Sequence, residues 1–149
     1  MRQSTIRTST RLVATLALLV AAGVWSGAAF AKPAVYSFNG RWVGTTSDSN
    51  GNTTGELSGV FTGKNKSFSA HTSYVAANNP GTTITTVLKG SVKAGDAILA
   101  TGKTNLGGHI SYTGQLDPAT NTISGSFSGV NKDKTTFNGN FSMTKVVGA

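Results

Sequence analysis

Five carboxylates, two imidazoles and no thiol make up the acid–base inventory of this 149-residue chain. Asp48, Asp96, Asp117 and Asp133 fall in stretches rich in Gly, Asn and Pro that read as turns, where water keeps a carboxyl ordinary, and Glu56 has no acidic neighbour to form a pair. His71 and His109 stand at outward alternation positions of separate strand-like runs; without cysteine, a metal site would need both to converge with a carboxylate. Residues 125–129 read G-S-F-S-G, with Phe127 where a nucleophile elbow needs serine. Gly102-Lys103-Thr104 lacks the leading glycine and following helix of a phosphate loop. The run D-S-N-G-N-T at 48–53 has its glycine early for a calcium loop and no bidentate Glu after it. The expectation is a non-enzymatic protein with no metal and no cofactor.

The elements that must position any site begin after residue 31. Arg2, Arg7 and Arg11 precede an apolar stretch from Leu12 to Val24, too short to span a bilayer as a lone helix, and Ala29-Phe30-Ala31 supplies an A-x-A cleavage site. Residues 1–31 therefore read as a signal peptide cleaved after Ala31, with export to the periplasm or the medium of a bacterium. No second hydrophobic run follows, so no transmembrane segment is expected after cleavage. Removing 31 residues from 149 leaves 118, enough for a single domain over 32–149 with a modest core. Export permits disulfides, yet the chain has no cysteine, so burial and backbone pairing must hold the fold alone.

Thirteen basic residues less the three in the leader leave ten against five acids, a net charge of about +5. The lysines are spread singly, at turns and strand ends, as solubility and edge protection require. Their collective field would attract an acidic envelope polymer. No cluster joins Arg to exposed aromatics, so there is no specific nucleic-acid signature; Arg41 is the one arginine after residue 31.

Period-two alternation runs through the rest of the chain, broken by turn clusters at 47–52, 63–66, 76–81, 93–96, 104–108, 117–121 and 131–134. Seven turns divide it into eight strands joined by hairpins, with no long crossover and no convincing amphipathic helix. A meander of eight antiparallel strands loses its exposed edges by closing, so the expected fold is all-β, an eight-stranded antiparallel up-and-down barrel without substantial helix.

Six of the strands repeat apolar-x-Gly-x-apolar: Phe38-Gly40-Trp42, Leu57-Gly59-Phe61, Leu88-Gly90-Val92, Tyr112-Gly114-Leu116, Ile123-Gly125-Phe127 and Phe137-Gly139-Phe141. Residues two apart share a face, so each glycine is expected on the core face between bulky neighbours, where it permits bending or lets a ring from the next strand lie over it. The alternative is room for a ligand.

Gly40-Arg41-Trp42 resembles the G-x-W signature of the calycins, the superfamily of lipocalins, fatty-acid-binding proteins and avidins, and F-S-M-T-K-V at 141–146 is similar to the last strand of avidin-like chains. The resemblance implies a barrel closed by its first and last strands, with Trp42 plugging one end. Trp42 is the sole tryptophan after residue 31, so the tryptophan-lined pocket of avidins is not carried over, nor are the second and third lipocalin segments. The function expected is binding of a small neutral apolar or aromatic molecule in the barrel, whose inward face should carry Phe38, Trp42, Phe61, Tyr74, Tyr112 and Phe141. The alternative is an envelope-interaction or inhibitor-type protein that turns its basic surface and loops toward an acidic partner.

Overall fold

The computed structural model describes residues 36–148; the leader expected over 1–31 and its cleavage at Ala31 lie outside the described residues. Eight strands follow one another as β1 (Gly40–Ser47), β2 (Thr53–Lys64), β3 (Ser67–Ala76), β4 (Asn79–Val92), β5 (Ala97–Thr104), β6 (His109–Asp117), β7 (Thr122–Val130) and β8 (Thr136–Lys145), with one short 3-10 turn at Ala94–Asp96. Each pairs antiparallel with the next, and β1 pairs with β8 from Trp42↔Lys145 to Ser47↔Asn140, closing the barrel. Among the described residues no helix is long and apolar enough to cross a membrane.

The turns form where side chains can hold them. Asp48 accepts from the amides of Asn50 and Asn52, both at 2.9 Å, and Asp117 accepts from the amide of Ala119 at 2.9 Å and the Thr120 hydroxyl at 2.8 Å. Asp133 accepts from the Thr135 amide at 3.0 Å and its hydroxyl at 2.6 Å. These are short-range acceptor turns of the kind Asp favours. The bonds hold all three carboxyls below their ordinary range, the side-chain donors Asn52, Thr120 and Thr135 contributing most.

Two boundaries differ from the sequence expectation. The stretch at 76–81 is not all turn: Asn79, Pro80 and Gly81 already belong to β4, and the ladder with β3 shifts register between Val75 and Ala76. Pro80 stands exposed at the protruding end of that hairpin, where no ladder amide is required of it. At the other end of the barrel β1 starts only at Gly40, whose φ of +129° turns the preceding segment across the barrel mouth. Gly40 is accordingly exposed and not on the core face, while Phe38 is folded inward and fully buried.

That segment seals one end. The Phe38 amide donates to Gly63 O at 3.0 Å, the Asn65 amide to Tyr36 O at 2.9 Å, and Trp42 Nε1 to Phe38 O at 3.0 Å. Tyr36 Oη donates to Asn121 Oδ1 at 3.1 Å, and Lys145 Nζ donates to Ser37 O at 2.7 Å. Beneath this strap Phe38 stacks on Phe68 with centroids 4.6 Å apart, and Phe61 lies 5.3 Å from Trp42 and 5.6 Å from Phe68. Offset and tilted rings at these separations attract beyond their buried area.

The repeated glycines are explained by register. Across the ladders Trp42 faces Gly59, Phe68 faces Gly90, Phe127 faces Gly139, Phe137 faces Gly129 and Phe141 faces Gly125. A Cβ at Gly90 would run into the Phe68 ring, and one at Gly129 into the Phe137 ring. At Gly125 it would strike the backbone of Thr113 and Gly114 on β6, which cannot swing aside as a side chain can. Gly125→Val is therefore expected to destabilise at the upper end of the overpacking range, about 3 kcal/mol. Exposed Ser124 points outward beside Gln115 and Ser142, so Ser124→Val should stay within about 0.5 kcal/mol of the parent. Urea midpoints of the two variants check the assignment of faces, and equal losses would contradict it.

Candidate functional site

The barrel interior is divided into two unlike halves. In the half under the aromatic plug, Leu57, Phe61, Phe68, Leu88, Ile98, Ala100, Ile123, Phe141 and Met143 leave a void of only about 20 Å³. That is room for one water at most, and its apolar lining gives a water no partners. In the other half a cavity of about 340 Å³ opens toward the turns at 48–52, 105–108 and 131–135. This lies within the size range of small-molecule sites.

The cavity walls differ in chemistry. Threonines supply one side: Thr46 and Thr54 from β1 and β2, Thr72 from β3, Thr86 from β4 and Thr104 from β5. Thr72, Thr86 and Thr104 form a continuous row, because Thr72 pairs with Thr86 and Thr86 with Thr104. Tyr112, Phe127 and Phe137 from β6, β7 and β8 supply the opposite side, with centroids 5.9 Å apart for the first pair and 6.4 Å for the second. Ile84, Leu106 and Ile110 fill in between, and Asn131 and Asn138 stand at the rim. No carboxylate, amine or imidazole is among the lining groups.

Hydrogen bonding separates these hydroxyls into two sets. Thr46 and Thr54 bond to each other at 2.8 Å, Tyr74 Oη donates to Thr54 O at 3.0 Å, and Thr104 Oγ1 accepts from the Gly108 amide at 3.0 Å. Thr72, Thr86 and Tyr112, only 5%, 6% and 8% exposed, make no side-chain hydrogen bond among the described residues. No sealed side-chain nitrogen or oxygen lacks a partner there, so these three oxygens open onto the cavity. Desolvation by burial pushes the Tyr112 phenol up to about 12, so it remains a hydroxyl at any physiological pH.

Of the residues expected to line a site, Tyr74 and Tyr112 border the cavity. Phe61 and Phe141 lie in the packed half, and Phe38 and Trp42 belong to the plug, both with no exposed surface. Phe127 and Phe137, though part of the glycine repeat, and all five threonines are among the lining groups that sequence reasoning passed over. Their signal is parity: Thr72 lies two positions from Ala70 and Tyr74, and Thr86 two from Ile84 and Leu88, on the buried side of each strand.

The histidines do not enter the site. His71 and His109 are exposed on the outer wall, and no group of three His, Cys, Asp or Glu side chains among the described residues could hold a metal ion. Asp48, Asp117 and Asp133 are occupied with their own turns. Comparison with protein-family models and with curated proteins gave no match.

The Tyr112 shift has a measurable consequence. Its folded-state pKa lies above the ordinary 10.0, so the stability that goes with keeping it neutral is fully present below pH 10 and is lost as pH rises through about 12. Two pH units correspond to a loss on the order of 2 to 3 kcal/mol across that window. Half-buried Tyr36, also raised by desolvation, acts in the same direction. Unfolding midpoints between pH 9 and 12 should fall more steeply for the parent than for Tyr112→Phe, and parallel curves would contradict the burial of this phenol.

Proposed function

We propose that this is an exported, non-enzymatic binding protein of calycin-like build that holds a small neutral aromatic or apolar ligand in the open half of its barrel. One observation carries the reading: a cavity of about 340 Å³ above a packed half whose remaining void is about 20 Å³. A fold that fills one end and leaves the other open keeps its emptiness where the turns admit solutes. Neutrality of the ligand follows from the lining, since a buried charge needs a counter-charge or dense hydrogen bonding and the walls offer no ionised group. The aromatic wall of Tyr112, Phe127 and Phe137 favours a flat or apolar body against it. The calycin-like reading is supported by the G-x-W stretch at Gly40 to Trp42 together with the plug that Trp42 forms. Export is supported by the basic, apolar and A-x-A succession over residues 1–31.

A second reading, recognition of an acidic envelope polymer, is supported by the outer wall of β3–β5. There His71, Lys89 and Lys103 surround exposed Val87 and Leu99, and the outward positions of these three strands include no carboxylate. One experiment separates the two. The delipidated mature protein is heated with a panel of small neutral aromatic and apolar compounds, and separately with an acidic polysaccharide at low and high salt. A native-state ligand must raise the midpoint by mass action, by the equivalent of about 2.7 kcal/mol at a hundredfold excess over Kd. The first reading expects a rise with at least one neutral compound. No rise with any of them, combined with salt-sensitive binding of the polysaccharide, would leave the interior as core and make the basic wall the functional surface.

A further inference from the structure

Leu57, Thr72 and Tyr112 border both the cavity and the packed void beneath it, which makes them its floor, and Thr86 pairs directly with Thr72. The rim is mixed: Asn131 and Asn138 stand there with half-exposed Leu106, and Phe137 lies near the turn that carries Asn131. What sets the floor apart is that its three hydroxyls have no protein partner among the described residues, whereas those of Thr46, Thr54 and Thr104 nearer the rim are already hydrogen-bonded. A site built to hold only hydrocarbon would carry Val in place of Thr at the floor, at the same shape and with no hydroxyl to desolvate.

We propose that the ligand enters polar end first, and that Thr72, Thr86 and Tyr112 form a hydroxyl floor that recognises an uncharged carbonyl group, as in a ketone, amide or lactone, carrying an aryl or short alkyl body. The inference rests on the cavity being the binding site, as argued above. All three hydroxyls have a proton to donate and no partner among the described residues to receive it. Tyr112 is a hydroxyl at neutral pH like any tyrosine, and burial, which pushes its phenol up to about 12, keeps it one well into the alkaline range. A carbonyl oxygen has two lone pairs and no proton, so it can accept from two of the three at once. A carboxylate would bring charge to a floor with no cation, which excludes acids from this end. Behind the head group the body lies between Ile84 and Ile110 and against the Phe127 and Phe137 rings.

The test uses three probes of one size: acetophenone, ethylbenzene and benzoate. Binding to the mature protein is followed by NMR shifts of the threonine methyls and by the thermal midpoint. Each hydrogen bond made on binding corresponds to roughly two- to tenfold in affinity, so acetophenone should bind about tenfold more tightly than ethylbenzene, and benzoate should bind worst. Thr86→Val and Thr72→Val, which keep the side-chain shape, and Tyr112→Phe should each narrow the gap between acetophenone and ethylbenzene. Equal binding of the two neutral probes, or an unaltered gap in all three variants, would overturn the carbonyl floor and leave an apolar binding cavity standing. Benzoate binding as tightly as acetophenone would overturn the neutral head group. Failure of every probe to bind would overturn the cavity as a site, and the floor with it.

Discussion

An aromatic ring on one strand of this barrel lies over bare backbone on the next. Phe68 covers Gly90, Phe137 covers Gly129, and on the same pair of strands Phe127 faces Gly139 and Phe141 faces Gly125. Eight strands enclose little volume, and a bulky residue at every inward position would overfill it. Alternating ring and glycine, offset between neighbours as on β7 and β8, fills the space once. The same offset pins the register, because a slip of two residues would set ring against ring and glycine against glycine. The chain has no cysteine, so this complementarity of volume, with the backbone ladder, does what cross-links do in small disulfide-bonded domains.

Where the alternation stops, the packing stops. The row running from Thr72 through Thr86 to Thr104 sets three threonines side by side, none of them facing a ring across the ladder. Threonine is β-branched and suits a strand, but it is too small to reach the centre of the barrel. The aromatic wall of Tyr112, Phe127 and Phe137 stands across from this row, and the cavity is the space between. The other end has no such gap, because the strap from Tyr36 to Asn39 brings Phe38 in over Trp42, Phe61 and Phe68. One end is sealed by rings, and the other opens toward the turns at 48–52, 105–108 and 131–135.

Strand number, antiparallel order and closure are legible in the sequence because each depends on local signals: alternation at period two, short turn clusters and the shortage of anything helical. The glycine repeat is legible as a core feature for the same reason. Its role as the partner of a ring depends on register between strands, which no single strand contains. Gly40 shows the limit of the pattern, since it matches the repeat and yet serves as a hinge at φ +129°. Aromatic residues alone pick out Tyr74 and Tyr112 at the cavity, but also Phe61 and Phe141 in the packed half and Phe38 and Trp42 in the plug. The threonines escape notice because Thr is equally at home on an outer strand face. Only their parity with Ala70, Ile84 and Leu88 tells them from Thr85 and Thr101, which point outward.

The uneven filling of the barrel is its central feature: one half is packed and the other holds a cavity with unpartnered hydroxyls at its floor. Its most direct test is to add the same apolar bulk to each half and compare unfolding free energies in urea. Ala100 faces Tyr112 and Gly90 in the packed half, where the void is about 20 Å³, and Thr86 borders the cavity of about 340 Å³. Ala100→Leu should lose about 1 to 3 kcal/mol through overpacking, while Thr86→Leu should match or exceed the parent's stability, since it fills space and removes a hydroxyl that has no protein partner. Equal losses in the two variants would mean that both halves are packed alike, and the account of an open binding half would be wrong.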